Sequence, residues 1–136
     1  MYKETVTFTD FNDLEREEDC YFHLNEAELT KLEMGVTGGF VEMVDKAIQA
    51  KDGKTIMDTF DDIMHKSYGV KSPDGRKFIK NEEVWLNFKE TEAYSIIFMK
   101  LITDADYAAK FIKGILPKKI EEAAKEVAPA ARKKSK

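Results

Sequence analysis

Apolar and polar residues alternate twice near the start of the chain and then shift to helical spacing. In Thr5-Val6-Thr7-Phe8-Thr9, β-branched polar residues bracket Val6 and Phe8, so a pleated strand carries those two on one face. After a polar corner at Asn12-Asp13, the run from Arg16 to Leu24 alternates again. It sets Cys20, Phe22 and Leu24 on one face and Asp19, Tyr21 and His23 on the other. Two such strands so close in sequence predict an antiparallel hairpin.

From Asn25 the period changes. Asn25 offers a side-chain oxygen as an N-cap, Glu28 follows three residues on, and Gly35 stands where a helix over Glu26 to Met34 would stop. Phe40, Val41, Val44 and Ile48 recur at helical spacing up to the turn dipeptide Asp52-Gly53. Ile56, Phe60, Ile63 and Met64 stripe the next helix, which Tyr68-Gly69 ends. Ser72-Pro73-Asp74-Gly75 is a turn signal, and Lys77-Phe78-Ile79 reads as an extended connector. Val84, Trp85 and Phe88 make a short helical stripe, and Tyr94, Ile97, Phe98, Leu101 and Ile102 a stronger one. Thr103 with Asp106 suggests a capping box for a last helix carrying Tyr107, Ala108, Phe111, Ile112 and Ile115, with Gly114 and Pro117 as its stop. The pattern predicts an α+β fold: an N-terminal antiparallel β-hairpin packed on a bundle of five or six short α-helices, followed by a flexible basic C-terminal tail.

Composition adds a size limit and a charge asymmetry. A chain of 136 residues buries about two-thirds of its surface, enough for one core. From Pro117 on there are seven Lys or Arg and three Glu, a net of +4, against 15 basic and 23 acidic residues before it, a net of −8. The expected division is a single globular domain over 1–116 and an Ala/Lys-rich tail over 117–136. Only Ile120 and Val127 are sizeable apolar residues in the tail, too few to offset its ordering entropy. The longest mostly apolar stretch, Tyr94 to Ile102, contains Ser95 and Lys100 and is far shorter than the roughly 20 residues of a membrane span. With one cysteine and no secretory pattern near the start, the cytoplasm is the expected compartment.

Catalytic and metal chemistry find little support. Cys20 and His23 fall on opposite faces of a strand, and with His65 they make three N/S ligands where a structural zinc needs four. Cys20 reads as a core residue, His23 and His65 as solvated surface residues. The acidic pairs Asp61-Asp62, Glu82-Glu83 and Glu121-Glu122 and the step Asp104 to Asp106 fit helix starts and solvated faces. Gly35, Gly38 and Gly39 match no phosphate-binding fingerprint. No cofactor, metal or catalytic residue is expected, and the protein is read as a non-enzyme.

Binding is the better-supported class. Met34, Met43, Met57, Met64 and Met99 lie on or beside helical stripes, where a thioether ordinarily fills core gaps. The alternative is a partner or self-contact surface formed by Phe40, Met43, Val44, Met57, Phe60 and Met64, since Met-rich surfaces repack around different ligands. Lys118, Lys119, Arg132, Lys133 and Lys134 are the candidate contacts of the tail. A small regulatory or nucleic-acid-binding protein acting through that tail is the alternative function. The acidic body and the lack of tail aromatics disfavour it.

Longer stretches carry a resemblance. Thr5-Val-Thr-Phe-Thr-Asp-Phe-Asn, Tyr21-Phe-His-Leu-Asn-Glu-Ala-Glu-Leu, Gly39-Phe through Ala50-Lys-Asp-Gly-Lys and Ser67-Tyr-Gly-Val-Lys-Ser-Pro-Asp-Gly-Arg-Lys-Phe-Ile-Lys are similar to tail assembly chaperones of long-tailed, siphovirus-type bacteriophages of Gram-positive hosts. So are Glu92-Ala-Tyr-Ser, Thr103-Asp-Ala-Asp and Phe111-Ile-Lys-Gly-Ile-Leu-Pro, which extend the resemblance over about residues 5 to 117. It implies a helper of tail morphogenesis that acts in the host cytoplasm and is absent from the mature virion. The implied partners are the tape measure protein, which it keeps soluble, and the major tail tube protein, which it helps to recruit. A homo-oligomer is left open, and no membrane is implied.

Overall fold

A computed structural model describes residues 1–35, 39–49 and 52–117. The chain opens with β1 (Tyr2–Thr9) and β2 (Glu15–Phe22), continues through α1 (Glu26–Gly35), α2 (Gly39–Gln49) and α3 (Gly53–Ser67), and returns to extended structure in β3 (Tyr68–Lys71) and β4 (Phe78–Ile79). Three helices follow: α4 (Glu82–Lys89), α5 (Glu92–Thr103) and α6 (Ala105–Ile115). The fold is α+β, with an antiparallel sheet in the order β1-β2-β3-β4 packed against the helices.

The hairpin forms where the alternation places it and pairs along its full length, from Tyr2 opposite Phe22 to Thr9 opposite Glu15. Val6, Phe8, Cys20 and Phe22 point inward and are buried, while the outer face carries Thr5, whose hydroxyl donates to Asp19 at 2.7 Å. The other half of the sheet departs from the sequence reading. Tyr68-Gly69 ends α3 as read, with Tyr68 as its C-cap, but it also opens a strand, and Phe78-Ile79, read as a connector, forms another: Gly69 pairs with Tyr21, and Val70 with Ile79. Four and two residues are too few to display a period, so tertiary pairing alone makes them strands. Gly69 is fixed by contact with the ring of Phe78, which a Cβ would approach to 2.6 Å.

The core gathers around aromatic rings. Phe22 is fully buried, with ring centroids 5.0 Å from Phe111 of α6, 5.5 Å from Tyr68 of β3 and 5.8 Å from Phe88 of α4, all edge-on. These are the separations at which aromatic quadrupoles attract. Tyr2 meets Phe111 at 5.2 Å. Its ring also lies on Gly114, where a Cβ would come within 2.5 Å of it. Gly114 therefore sits inside α6 as a packing site instead of ending the helix as the sequence suggested.

Helix ends follow local chemistry. Asn25 Oδ1 accepts from the Glu28 N–H at 2.8 Å and the Asn25 N–H donates to Glu28 Oε1 at 2.9 Å, the expected reciprocal cap of α1. At α6 the cap is displaced by one residue: Asp104 accepts from the Tyr107 N–H, while the Thr103 hydroxyl turns back to the Met99 carbonyl of α5. The methionines divide. Met64 is buried and Met43 half-buried, but Met34, Met57 and Met99 are exposed on outward helix positions, against the expectation that they fill the core.

Lys80, just after β4, joins elements that are distant in sequence. Its ammonium donates to the His23 carbonyl at 2.6 Å, to the Lys66 carbonyl at 2.9 Å and to both oxygens of Glu28 at 2.9 Å. The end of β2, the start of α1 and the end of α3 are held by one side chain that is 19% exposed. Pro117 is buried, and the tail expected beyond it lies outside the described residues.

Two consequences are measurable. Gly69→Ala is expected to lower stability by about 1–3 kcal/mol in urea unfolding, because the Phe78 ring must leave its place in the sheet. Lys80→Met is expected to cost about 2 kcal/mol, since two carbonyls and a carboxylate lose their donor while the stem's apolar contacts persist. An unchanged melting curve for either variant would contradict these roles.

Candidate functional site

The α2–α3 residues singled out from the sequence come together, but mostly inside the protein. Phe40, Val44, Phe60 and Met64 are at most 4% exposed and belong to the core. Met43 packs against that core half-buried, and only Met57, at 42%, faces outward. Lys118, Lys119, Arg132, Lys133 and Lys134 lie outside the described residues.

The chemistry-bearing side chains have structural occupations. Cys20 is buried, and desolvation, reinforced by the charges of Glu18, Glu4 and Asp19, pushes its thiol up to about 12. It stays protonated and unreactive near neutrality. His23 is half-buried, not solvated as expected: its ring meets Phe78 edge-on and its Nδ1 is buried without a partner. Burial, then the positive charges of the N-terminus and Lys80, lowers its pKa and favours the neutral ring. His65 is exposed, stacked 4.7 Å over Trp85, with Nε2 3.0 Å from Glu82. Asp61 accepts from the Tyr94 hydroxyl, Asp62 pairs with Lys66 at 2.6 Å and Asp104 caps α6. Among the described residues no three His, Cys, Asp or Glu side chains are placed to hold a metal, and no helix is long and apolar enough to cross a membrane.

The most exposed apolar side chains of the sheet stand at the hairpin tip, in the corner between β1 and β2. Asp10 builds this corner. Its carboxylate accepts from the Asn12 N–H at 2.9 Å, the Leu14 N–H at 3.0 Å and Arg16 Nε at 2.7 Å. These bonds, led by that from Arg16, hold the carboxyl below the usual range. Asp13 takes φ 63°, a left-handed conformation that aspartate tolerates better than most residues. The tight turn lifts Phe11 and Leu14 into solvent at 77% and 61% exposure.

Clefts open on both sides of Phe11. One, of about 420 Å³, is lined by Phe8, Asp10, Asp13, Glu92 and Ile96; the other, of about 190 Å³, by Phe8, Arg16, Glu18, Glu90 and Glu92. An apolar knob thus stands among carboxylates, with one arginine already engaged by Asp10. Such a surface suits binding of an apolar segment that carries positive charge. Sequence reading treated the corner as merely polar. The signal was present, because an aromatic residue between Asp10 and Asn12-Asp13 in a turn has no strand or helix face on which to be buried.

Another cleft, about 380 Å³, runs between α3 and the start of α4 and is lined by Asp62, His65, Lys66, Tyr68, Lys80, Asn81 and Glu82. Its ionic side chains are already paired with one another or with the backbone.

The family model for phage tail assembly chaperones matches residues 1–136. No curated protein and no solved structure gives a match. The match spans every element described above, the hairpin and its exposed tip included, and on that extent the chain belongs to the phage tail assembly chaperone family.

Proposed function

We propose that the protein is a non-enzymatic assembly chaperone of a siphovirus-type phage of a Gram-positive host. It binds the tape measure protein in the host cytoplasm, keeps it soluble, helps to recruit tail tube subunits and is left out of the finished virion. Family membership over residues 1–136 carries this reading. The hairpin tip supports it, since a client helix rich in apolar residues needs exposed apolar side chains on an otherwise charged scaffold. Phe11 and Leu14 are such side chains, ordered by the Asp10 hydrogen bonds and surrounded by carboxylates. On the α2–α3 pair, Met57 and the open part of Met43 offer a second contact, supported from beneath by Phe40, Val44, Phe60 and Met64. Lys118, Lys119, Arg132, Lys133 and Lys134 are the proposed basic contacts of the tail.

Co-expression with the tape measure protein of the same phage tests the reading. The client is expected to be soluble and to co-purify only when the chaperone is present. Phe11→Ser with Leu14→Ser is expected to reduce capture by about tenfold, the cost of removing an interface anchor, while the melting temperature stays constant because both side chains are exposed. A client equally soluble alone, with no association in pull-down, would overturn the proposal.

A further inference from the structure

The hairpin has two unpaired strand edges, the outer side of β1 and the part of β2 before its pairing with β3, and they differ in which residues turn their main-chain groups outward. Asp10 N–H donates to the Leu14 carbonyl at 2.8 Å, so position 10 and its opposite number 14 form a hydrogen-bonded pair of the hairpin. Such pairs alternate along an antiparallel ladder. In the observed register, the even-numbered residues of β1 and β2 bond to each other, and the odd-numbered residues turn their N–H and C=O groups away from the partner strand. On β2 the groups turned outward before the pairing with β3 begins belong to Glu15, Glu17 and Asp19. Like charges there repel any added copy of the same strand, a common protection of edges.

Among the described residues β1 has a weaker guard, the single Lys3. β1 is the end strand of the sheet, eight residues long and free of proline, and its outward main-chain groups belong to Lys3, Thr5, Thr7 and Thr9. α5 lies over β1, and a groove lined by Glu4–Thr7 and by Ile96, Ile97 and Lys100 opens between them. Ile96 and Met99, one turn apart on α5, are 37% and 50% exposed beside that groove. An open strand edge whose outward residues include one charge, Lys3, and three threonines therefore lies beside exposed apolar residues of the helix above it. Glu4 fixes the edge in place: its carboxylate accepts from the Tyr107 hydroxyl at 2.6 Å and the Tyr2 hydroxyl at 3.1 Å.

The occupant is identified by self-complementarity. When a second β1 is laid antiparallel with Val6 opposite Val6, the odd-numbered residues form the new hydrogen-bonded pairs and each side chain keeps its face. Thr5 then meets Thr7, Lys3 meets Thr9 and Glu4 meets Phe8, a register that opposes no like charges and sets two threonine pairs side by side. The two-fold axis also brings the α5 helices together on the same face of the joined sheet, where each covers the other's apolar strip. We propose that two copies of this chain pair through their β1 edges into a continuous eight-stranded sheet, sealed by Ile96 and Met99 of both α5 helices.

Sedimentation equilibrium of the full chain, together with two variants, tests the pairing. The wild type is expected at twice the 15.6 kDa chain mass in the tens of micromolar. Thr7→Pro removes one outward N–H without touching the β1–β2 bonds and is expected to weaken dimerisation at least about tenfold with an unchanged circular dichroism spectrum. Thr5→Cys with Thr7→Cys is expected to give a disulfide-linked dimer on mild oxidation. The matching pair Glu15→Cys with Glu17→Cys, on the acidic edge, is expected to give none. Should Thr7→Pro lose its native spectrum, the cysteine pairs decide. A monomeric wild type overturns the proposal, and so does a dimer that a folded Thr7→Pro leaves intact or that Thr5→Cys with Thr7→Cys fails to cross-link.

Discussion

The fold turns on covering one face of a small sheet at Phe22. This ring is the point where β2 meets β3, α4 and α6, with the rings of Tyr68, Phe88 and Phe111 arranged edge-on around it. A sheet packed on one side must bury that side, and two helices converge on it here. Coverage fades along β2 away from this point. Arg16 and Glu18 share the inward face with Phe8 and Val6, yet stay in water, so the far half of β2 is polar on both faces. The hairpin consequently projects beyond the core, and its tip is free to present Phe11 and Leu14.

Charge settles what packing leaves loose. Lys80 lies at the junction of the sheet with α1 and α3, and its three hydrogen-bond directions are taken by two carbonyls and a carboxylate. Such a cation, 19% exposed, is favourable only with its partners in place, so it ties the β2 end, α1 and α3 into one arrangement. The exposed ion pairs along the helices, such as Lys54 with Asp58 and Lys46 with Glu42, add little to stability. Carboxylates not used in this way gather around the hairpin tip and along the free edge of β2. There they give the tip and that edge negative charge, which discourages self-pairing of the strand.

The division of labour in the chain follows. One end of the sheet is a rigid anchor, and the opposite end is an apolar projection within an acidic rim. The exposed apolar side chains of the tip thus stand on an otherwise strongly charged scaffold.

Much of this was legible in the residues. Alternation placed Val6, Phe8, Cys20 and Phe22 on the inner face of a hairpin, and helical spacing together with the cap of Asn25 and Glu28 located the helices, because both signals are local. What the sequence could not decide were contacts between distant segments. β3 and β4 are strands only because β2 offers them an edge, Gly114 continues α6 only because Tyr2 packs on it, and His23 is half-buried only because Phe78 covers it. The candidate site shows the same limit. A helical stripe states that Phe40, Val44, Phe60 and Met64 share a face, but burial against a core and docking of a partner require the same stripe, and only the packing of α2 and α3 assigned those four to the interior. By itself, the sequence determined the hairpin, the helices and the opposed charges of body and tail, all of which are set by neighbours along the chain. The tertiary structure decided which apolar side chains remain in water, since that depends on where the helices stop covering the sheet.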